Sequence, residues 1–183
     1  MTNSYGQHSD YRHCHRGGAV YLAVEGFFWL LSAAFGAFDQ IPVAILLLAI
    51  GGMFIHPVSL VVSRMVGLPQ VNEMNRLPIL NTWLALMIPL GLPLVYLVVS
   101  GGRTTLFYPA FSIIIGAHWL PFIYVYAMKS FAVLASLLVL IGIFFGFLYT
   151  DSFSACGFVS GGILLVFAIT NALFVKKELQ ANK

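Results

Sequence analysis

IPVAILLLAIGGMFIHPVSLVV, residues 41–62, contains no Asp, Glu, Lys or Arg. An α-helix rises about 1.5 Å per residue, so a run of this length can cross a hydrocarbon core about 30 Å thick. Across the 183 residues of the chain, 60% are hydrophobic and 8% are charged, whereas soluble domains are charged at roughly a quarter of their positions. The bilayer is therefore the expected solvent.

Similar apolar runs fill most of the chain, and short links with turn residues separate them. No remaining segment is long enough to bury a separate soluble core. We therefore predict an all-α integral membrane bundle of six transmembrane helices, with residues 19–175 as the transmembrane domain. The predicted spans are residues 19–38, 41–62, 79–99, 105–127, 130–149 and 154–174.

The Lys and Arg residues predict the orientation, because short loops that carry them stay on the cytoplasmic side. With a cytoplasmic N-terminus, Arg103 is the one residue of the nine Lys and Arg that lies outside. Both termini are then cytoplasmic, residues 1–18 as a disordered tail and residues 176–183 as a second tail. A secretory signal is the alternative for the first span, but Glu25 and the length of the run disfavour it.

The cysteine and histidine residues of the N-terminal tail indicate neither a disulfide nor a metal site. Cys14 is predicted to be cytoplasmic and Cys156 to lie near the outer surface, so the two cannot meet within one chain. His13 and His15 flank Cys14, but adjacent residues rarely all reach one ion. We predict no metal and no cofactor. The net charge of +3 is dispersed, which favours the lipid bilayer over nucleic acid as a partner.

Glycines at a four-residue spacing mark the last two predicted spans, as Gly142 with Gly146 and as Gly157 with Gly161. This spacing lets two helix backbones approach closely in lipid. In an antiparallel hairpin Gly146 lies level with Gly157, so we predict that the fifth and sixth spans pack tightly in the outer leaflet. A homo-oligomer that joins through these glycines is the alternative.

Prolines predict distortion of three spans, because proline cannot donate a backbone hydrogen bond. Pro89 and Pro93 predict a kink of the third span toward its outer side, and Pro57 and Pro121 predict kinks in the second and fourth. Kinked helices occur in transporters, where freed backbone groups line a cavity.

Ionisable side chains inside the hydrocarbon are costly and normally face a partner, water or the bundle interior. Such residues occur in three spans, all in the half predicted to be cytoplasmic, and asparagines enter two further spans from that side. The outer half is predicted to be nearly free of polar residues. We expect one polar pocket that faces the cytoplasm and binds a small molecule or a proton. Its predicted residues are Glu25, His56, Asn81, Trp83, His118, Trp119 and Asn171.

The alternative gives each of these residues a local structural task. Each histidine then bonds a carbonyl that a nearby proline has freed, and Glu25 pairs with Arg16 or Arg76. Haem ligation is a further hypothesis, which requires that His56 and His118 face each other.

The segment GAHWLPF, residues 116–122, resembles a motif of a family of uncharacterised bacterial multi-pass integral membrane proteins. This resemblance implies a bacterial inner membrane, which is a cell membrane, and a bundle of this size. It implies no activity and no site residues.

Motifs of zinc peptidases, serine hydrolases, dithiol redox proteins and phosphate-binding loops do not occur. We therefore assign no catalytic residue and favour a protein that is not an enzyme. The predicted function is a small-solute or proton-linked transporter. The alternative is a non-catalytic scaffold, assembly or sensor subunit that contacts a partner through residues 64–78.

Overall fold

The computed structural model describes residues 4–181, and within this range the secondary structure is helical with no β-strand. A short 3-10 turn over Thr104–Leu106 precedes the sixth helix. The α-helices are α1 Ser4–Cys14, α2 Ala19–Ala37, α3 Ile41–Met65, α4 Leu77–Ala85, α5 Met87–Ser100, α6 Phe107–Trp119, α7 Phe122–Tyr126, α8 Ser130–Phe147 and α9 Ala155–Ala181.

Five helical segments within residues 4–181 are long and apolar enough to cross a membrane. The predicted span over residues 105–127 is not among them, because it is divided between α6 and α7. The chain is thus an all-helical bundle suited to a bilayer, while the six-span topology remains a prediction. The five segments are Ala19–Ala37, Ile41–Met65, Leu77–Ser100, Ser130–Phe147 and Ala155–Ala181.

Prolines explain the two interruptions. Pro89 has no backbone N–H to donate to the carbonyl of Ala85, and α4 ends at Ala85. The third predicted span therefore breaks on the N-terminal side of Pro89. Pro121 likewise follows the end of α6 by two residues. Pro57, in contrast, lies within the continuous helix α3.

The glycines of α8 face α6. A Cβ atom at Gly142 would lie 2.6 Å from the carbonyl oxygen of Pro109, and one at Gly146 would lie 3.4 Å from the Cβ of Pro109. Any side chain at Gly142 would therefore push the two backbones apart.

The glycines of α9 face α2. A Cβ atom at Gly157 would lie 2.9 Å from the Cβ of Ala33, and one at Gly161 would lie 3.0 Å from the Cβ of Trp29. The predicted packing of the fifth span on the sixth through these glycines is therefore wrong. The spacing does permit close approach, but each glycine face meets a helix from another part of the chain. The chain itself thus covers the faces that a homo-oligomer would need.

The segment predicted to be a disordered tail is helical over residues 4–14, and this helix packs on the bundle. Tyr11 is only 1% exposed. The Arg12 guanidinium bonds both carboxylate oxygens of Glu178, at 3.0 and 2.5 Å. Asn75 donates to Asp10 at 2.9 Å. These contacts join α1 to α9 and to the link before α4, which corrects the prediction of disorder.

The predicted C-terminal tail is helical as well, since α9 continues to Ala181. Residues 1–3 and 182–183, which belong to the two predicted tails, lie outside the described residues.

We call one end of the bundle the basic end. It contains α1, the start of α2, the end of α3, the start of α4, the α7–α8 junction and the end of α9. Arg103 lies at the opposite end, after α5. The basic end carries Arg12, Arg16, Arg64, Arg76, Lys129, Lys176 and Lys177.

Candidate functional site

A small cavity of about 40 Å³ lies in the bundle interior between α2, α3, α4 and α6. We call it the inner cavity. A water molecule needs about 10–15 Å³ by this measure, so the inner cavity has room for a few waters. Five of the seven predicted pocket residues line it, namely Glu25, His56, Asn81, His118 and Trp119.

Glu25 is 1% exposed and lies on the face of α2 that is turned toward the bundle. Its Oε2 accepts a hydrogen bond from Trp119 Nε1 at 3.0 Å, while its Oε1 has no hydrogen-bond partner among residues 4–181. No cation lies within salt-bridge distance of Glu25 in this part of the chain. A carboxylate buried without a cation is costly in its charged form. The predicted pairing of Glu25 with Arg16 or Arg76 is thus absent from the described residues.

The aromatic rings around Trp119 fix the direction of its N–H. The Trp119 ring stacks on Phe131 of α8, with ring centres 5.3 Å apart, and contacts Phe122 of α7 at 4.7 Å. A ring that packs against two other aromatic rings loses little further freedom when it donates to Glu25.

The two histidines differ in environment. His118 is 8% exposed, and its Nδ1 has no hydrogen-bond partner among the described residues. His56 is partly exposed, stacks on Tyr21 at 5.6 Å and lies 3.5 Å from Asn81 Nδ2 through its Nδ1. Neither bonds a backbone carbonyl or Glu25 within residues 4–181. The structure therefore brings the three ionisable groups to one cavity without a direct hydrogen bond between them.

Trp83 lies elsewhere, which corrects its assignment to the pocket. It is 66% exposed on the outside of α4. Successive residues of a helix are about 100° apart, so Trp83 points about 200° away from Asn81, which faces the inner cavity.

Asn171 is buried but also lies outside the inner cavity. Its Nδ2 donates to the carbonyl of Gly17 at 3.0 Å. Residues Arg16, Gly17 and Gly18 form the turn between α1 and α2 with φ values of 47°, 64° and 76°. Asn171 therefore holds this turn, and its burial has a structural explanation.

A larger cavity of about 320 Å³ opens at the basic end, and we call it the vestibule. Tyr21, His56 and Asn81 line both the vestibule and the inner cavity. These three side chains thus form the boundary between them. We call the series of polar side chains that runs from the vestibule across this boundary to Glu25 the polar route.

The end of α1 forms one wall of the vestibule through Tyr11, Cys14 and His15, which sequence reasoning missed. Cys14 Sγ donates to the carbonyl of Gln70 at 3.4 Å. Burial, together with the nearby Asp10 carboxylate, raises the pKa of the Cys14 thiol to about 11. Burial lowers the pKa of His15 to about 4, so its ring is neutral at neutral pH. The one sequence signal for this wall was the i, i+3 spacing of Tyr11 and Cys14, which places both side chains on the same face of a helix.

The opposite half of the bundle contains buried hydroxyl groups, which corrects the prediction that it is nearly free of polar residues. Ser32 Oγ donates to the carbonyl of Ala44 at 2.7 Å and lies 2.6 Å from the Tyr108 hydroxyl. Ser112 Oγ donates to the carbonyl of Leu138 at 2.8 Å and lies 3.1 Å from Ser160 Oγ. These serines join neighbouring helices.

The layer between Glu25 and these serines is apolar and aromatic. Ser32 follows Glu25 by seven residues, which is about 10 Å along α2. Within this interval Trp29 is fully buried and packs on Phe111, with ring centres 5.5 Å apart. The polar route therefore ends at Glu25.

Residues 7–174 match DUF7010, a family of unknown function. Searches of functionally curated proteins and of solved structures gave no significant match. Because the match covers α2 to α8 and most of α1 and α9, it includes both cavities and every residue assigned to them above. The chain belongs to the DUF7010 family.

Proposed function

We propose that this protein transports a small solute together with protons across a bacterial inner membrane. In the proposed topology six spans cross the bilayer, α6 with α7 forming the fourth, and the basic end faces the cytoplasm. The clustering of Lys and Arg at that end supports this orientation. The vestibule is then the cytoplasmic entrance.

One observation carries the proposal: a buried carboxylate with a single neutral partner lies at the closed end of a polar route. A group that served structure alone would be expected to have all of its hydrogen bonds satisfied, because unpaired polar atoms are costly in a bundle interior. Glu25 Oε1 and His118 Nδ1 are both unpaired within residues 4–181, and both belong to residues that line the inner cavity. Protons, waters or solute atoms can fill these sites in turn.

The aromatic layer at Trp29 closes the route on the far side, as expected for an inward-open state. Transport requires a second state in which this layer separates and the vestibule closes. The breaks at Leu86 and before Pro121 are the positions where α4–α5 and α6–α7 can bend, because the helical hydrogen-bond ladder is already interrupted there.

A scaffold or sensor subunit is the second candidate, and exposed apolar residues beside the link between α3 and α4 favour it. Met65 is 81% exposed and Met74 is 71% exposed. Side chains of this kind are common on surfaces that bind partners. In that case substitutions at Met65 and Met74 would remove partner binding, while changes at Glu25 would act through stability alone.

The test of transport uses purified protein in liposomes that contain a pH-sensitive dye, with an inward proton gradient. Small anionic, neutral and cationic solutes are added separately, and the rate of internal acidification is measured. We expect one solute class to accelerate acidification relative to protein-free vesicles. Glu25→Gln should abolish the acceleration, because the amide cannot take up a proton.

Glu73→Gln is the matched control, since it makes the same change on the exposed link. It should behave as the unmodified protein does. Equal acidification by Glu25→Gln and the unmodified protein would contradict the proposal, and so would a failure of every solute class.

A further inference from the structure

We infer that the vestibule binds a small organic anion with an apolar body. This inference rests on the proposed function for its role in transport and names the solute class. The volume of about 320 Å³ lies at the lower end of the range for small-molecule pockets, about 300–1,000 Å³.

The charges on the vestibule wall favour an anion. Arg64 is the permanently charged side chain among the lining residues, and no carboxylate is among them in the described chain. The Asp10 carboxylate is not among the lining residues and contacts Cys14, with Oδ1 3.7 Å from Sγ. The other oxygen of Asp10 accepts hydrogen bonds from Asn75 Nδ2 at 2.9 Å and from Asn72 N at 3.2 Å. The Asp10 carboxylate therefore has hydrogen-bond partners in the link before α4. The described wall of the vestibule offers no free carboxylate to a cation.

Unpaired polar atoms on the same wall indicate that a ligand completes their hydrogen bonds. Ser63 is 8% exposed, and its Oγ has no hydrogen-bond partner within residues 4–181. Ser63 precedes Arg64 on the last turn of α3, and both line the vestibule. His15 Nδ1, across from them at the end of α1, is also unpaired in this part of the chain. A guanidinium, a hydroxyl and an imidazole suit the several lone pairs of a carboxylate or similar oxyanion.

The remainder of the wall is apolar, with Leu60, Leu68 and Val71 among the lining residues and the Tyr11 and Tyr21 rings beside them. These side chains suit the hydrocarbon part of the ligand. An inorganic anion would leave them without a partner, which is why the inference specifies an organic one.

The probes are benzoate, benzamide and benzamidinium, which are nearly equal in size and carry negative, zero and positive charge. Each is measured by equilibrium dialysis against the full-length protein in detergent. We expect saturable binding of benzoate, at least about tenfold tighter than that of benzamide, because a hydrogen bond to a charged group contributes about 1.5–3 kcal/mol. Benzamidinium should bind no more tightly than benzamide.

Arg64→Gln should weaken benzoate binding by about tenfold or more while leaving benzamide binding unchanged, because the guanidinium contacts only the charged group. Ser63→Ala should weaken it less. Arg103→Gln is the matched control, since Arg103 is exposed at the opposite end of the bundle. Arg64 is exposed as well, so its replacement is not expected to unfold the protein.

Three results would overturn the inference: no saturable benzoate binding, benzamidinium binding as tight as that of benzoate, or benzoate binding that Arg64→Gln leaves intact. The dialysis measures binding and the liposome assay measures proton movement, so the two proposals fail separately. Glu25-dependent acidification without benzoate binding would reject the anion and keep the transporter. Benzoate binding without Glu25-dependent acidification would reject transport and keep the site.

Discussion

The two halves of the bundle treat buried polar groups in opposite ways. In the half at the basic end, Glu25 and His118 line the inner cavity, and Glu25 Oε1 and His118 Nδ1 have no hydrogen-bond partner in the described chain. In the other half, Ser32 and Ser112 donate to backbone carbonyls of neighbouring helices, and Gly142 allows α8 to touch the backbone of α6. The far half is thus closely packed and its helix-joining serines are paired, although Ser154 Oγ has no partner in the described chain. The half at the basic end retains space and unpaired ionisable groups.

This difference separates stability from function. Close backbone contacts and satisfied hydroxyls hold membrane helices together. Unsatisfied ionisable groups cost stability, and they persist where a proton, water or ligand uses them. We therefore expect large stability effects in the far half and functional effects in the half at the basic end.

The largest stability effect should come from Gly142→Ala. The new Cβ would lie 2.6 Å from the carbonyl oxygen of Pro109. Because this oxygen belongs to the backbone of α6, the contact can be relieved only if α6 and α8 move apart. We expect a loss of about 2–3 kcal/mol in the free energy of unfolding, measured by denaturing-detergent titration. Gly162→Ala is the control, because nothing lies within 4 Å of a Cβ atom there. Equal effects of the two substitutions would remove the packing argument.

A smaller effect should come from Ser112→Ala, which removes the hydrogen bond to Leu138 and the contact with Ser160. We expect a loss of about 1 kcal/mol in the same titration. Glu25→Gln should cost less than that, because the amide oxygen can still accept from Trp119 and no buried charge remains. A greater loss for Glu25→Gln would mean that Glu25 serves the fold.

A small stability effect should also come from Arg12→Gln, because the ion pair with Glu178 is partly exposed, with side chains 14% and 26% accessible. The cost should be about 1 kcal/mol or less, yet α1 should then detach more often from the vestibule. The readout is the rate at which a maleimide labels Cys14, which should rise.

In the unmodified protein Cys14 should react slowly at pH 8. Its pKa of about 11 stands above the ordinary value of 9.0, so the thiolate fraction is about a hundredfold below that of a free thiol. Labelling should accelerate as the pH rises toward 11. Rapid labelling at pH 8, or no difference between Arg12→Gln and Lys177→Gln, would show that the packing of α1 on the bundle does not bury this thiol.

Much of the fold could be predicted from the sequence, because membrane spans depend on length and apolarity alone. The helix pairing could not be predicted in this way. The spacing of Gly142 and Gly146 predicts that another helix packs closely against α8, but it does not identify that helix. The break at Leu86 follows from Pro89, although its exact side was not anticipated.

The candidate site was predicted in part. The cost of burying charge in lipid identified Glu25, His56 and His118, and all three line the inner cavity. Trp83 and Asn171 were assigned by depth alone, which leaves out the direction of a side chain around its helix. The vestibule wall in α1 was missed because its order depends on distant partners such as Glu178.

The most direct test of the central claim is the labelling of two introduced cysteines, His56→Cys and Ser112→Cys, each in a Cys14→Ser background. Cys156 can stay, since it is 1% exposed. A small membrane-impermeant thiol reagent is added to inside-out and to right-side-out membrane vesicles. Without added solute or a proton gradient, conditions that hold the protein in the inward-open state, we predict that the cysteine at position 56 is labelled in inside-out vesicles only, and that the cysteine at position 112 is labelled in neither. Labelling at position 112, or protection of position 56 from the inside, would contradict the division of the bundle into a hydrated half and a sealed one.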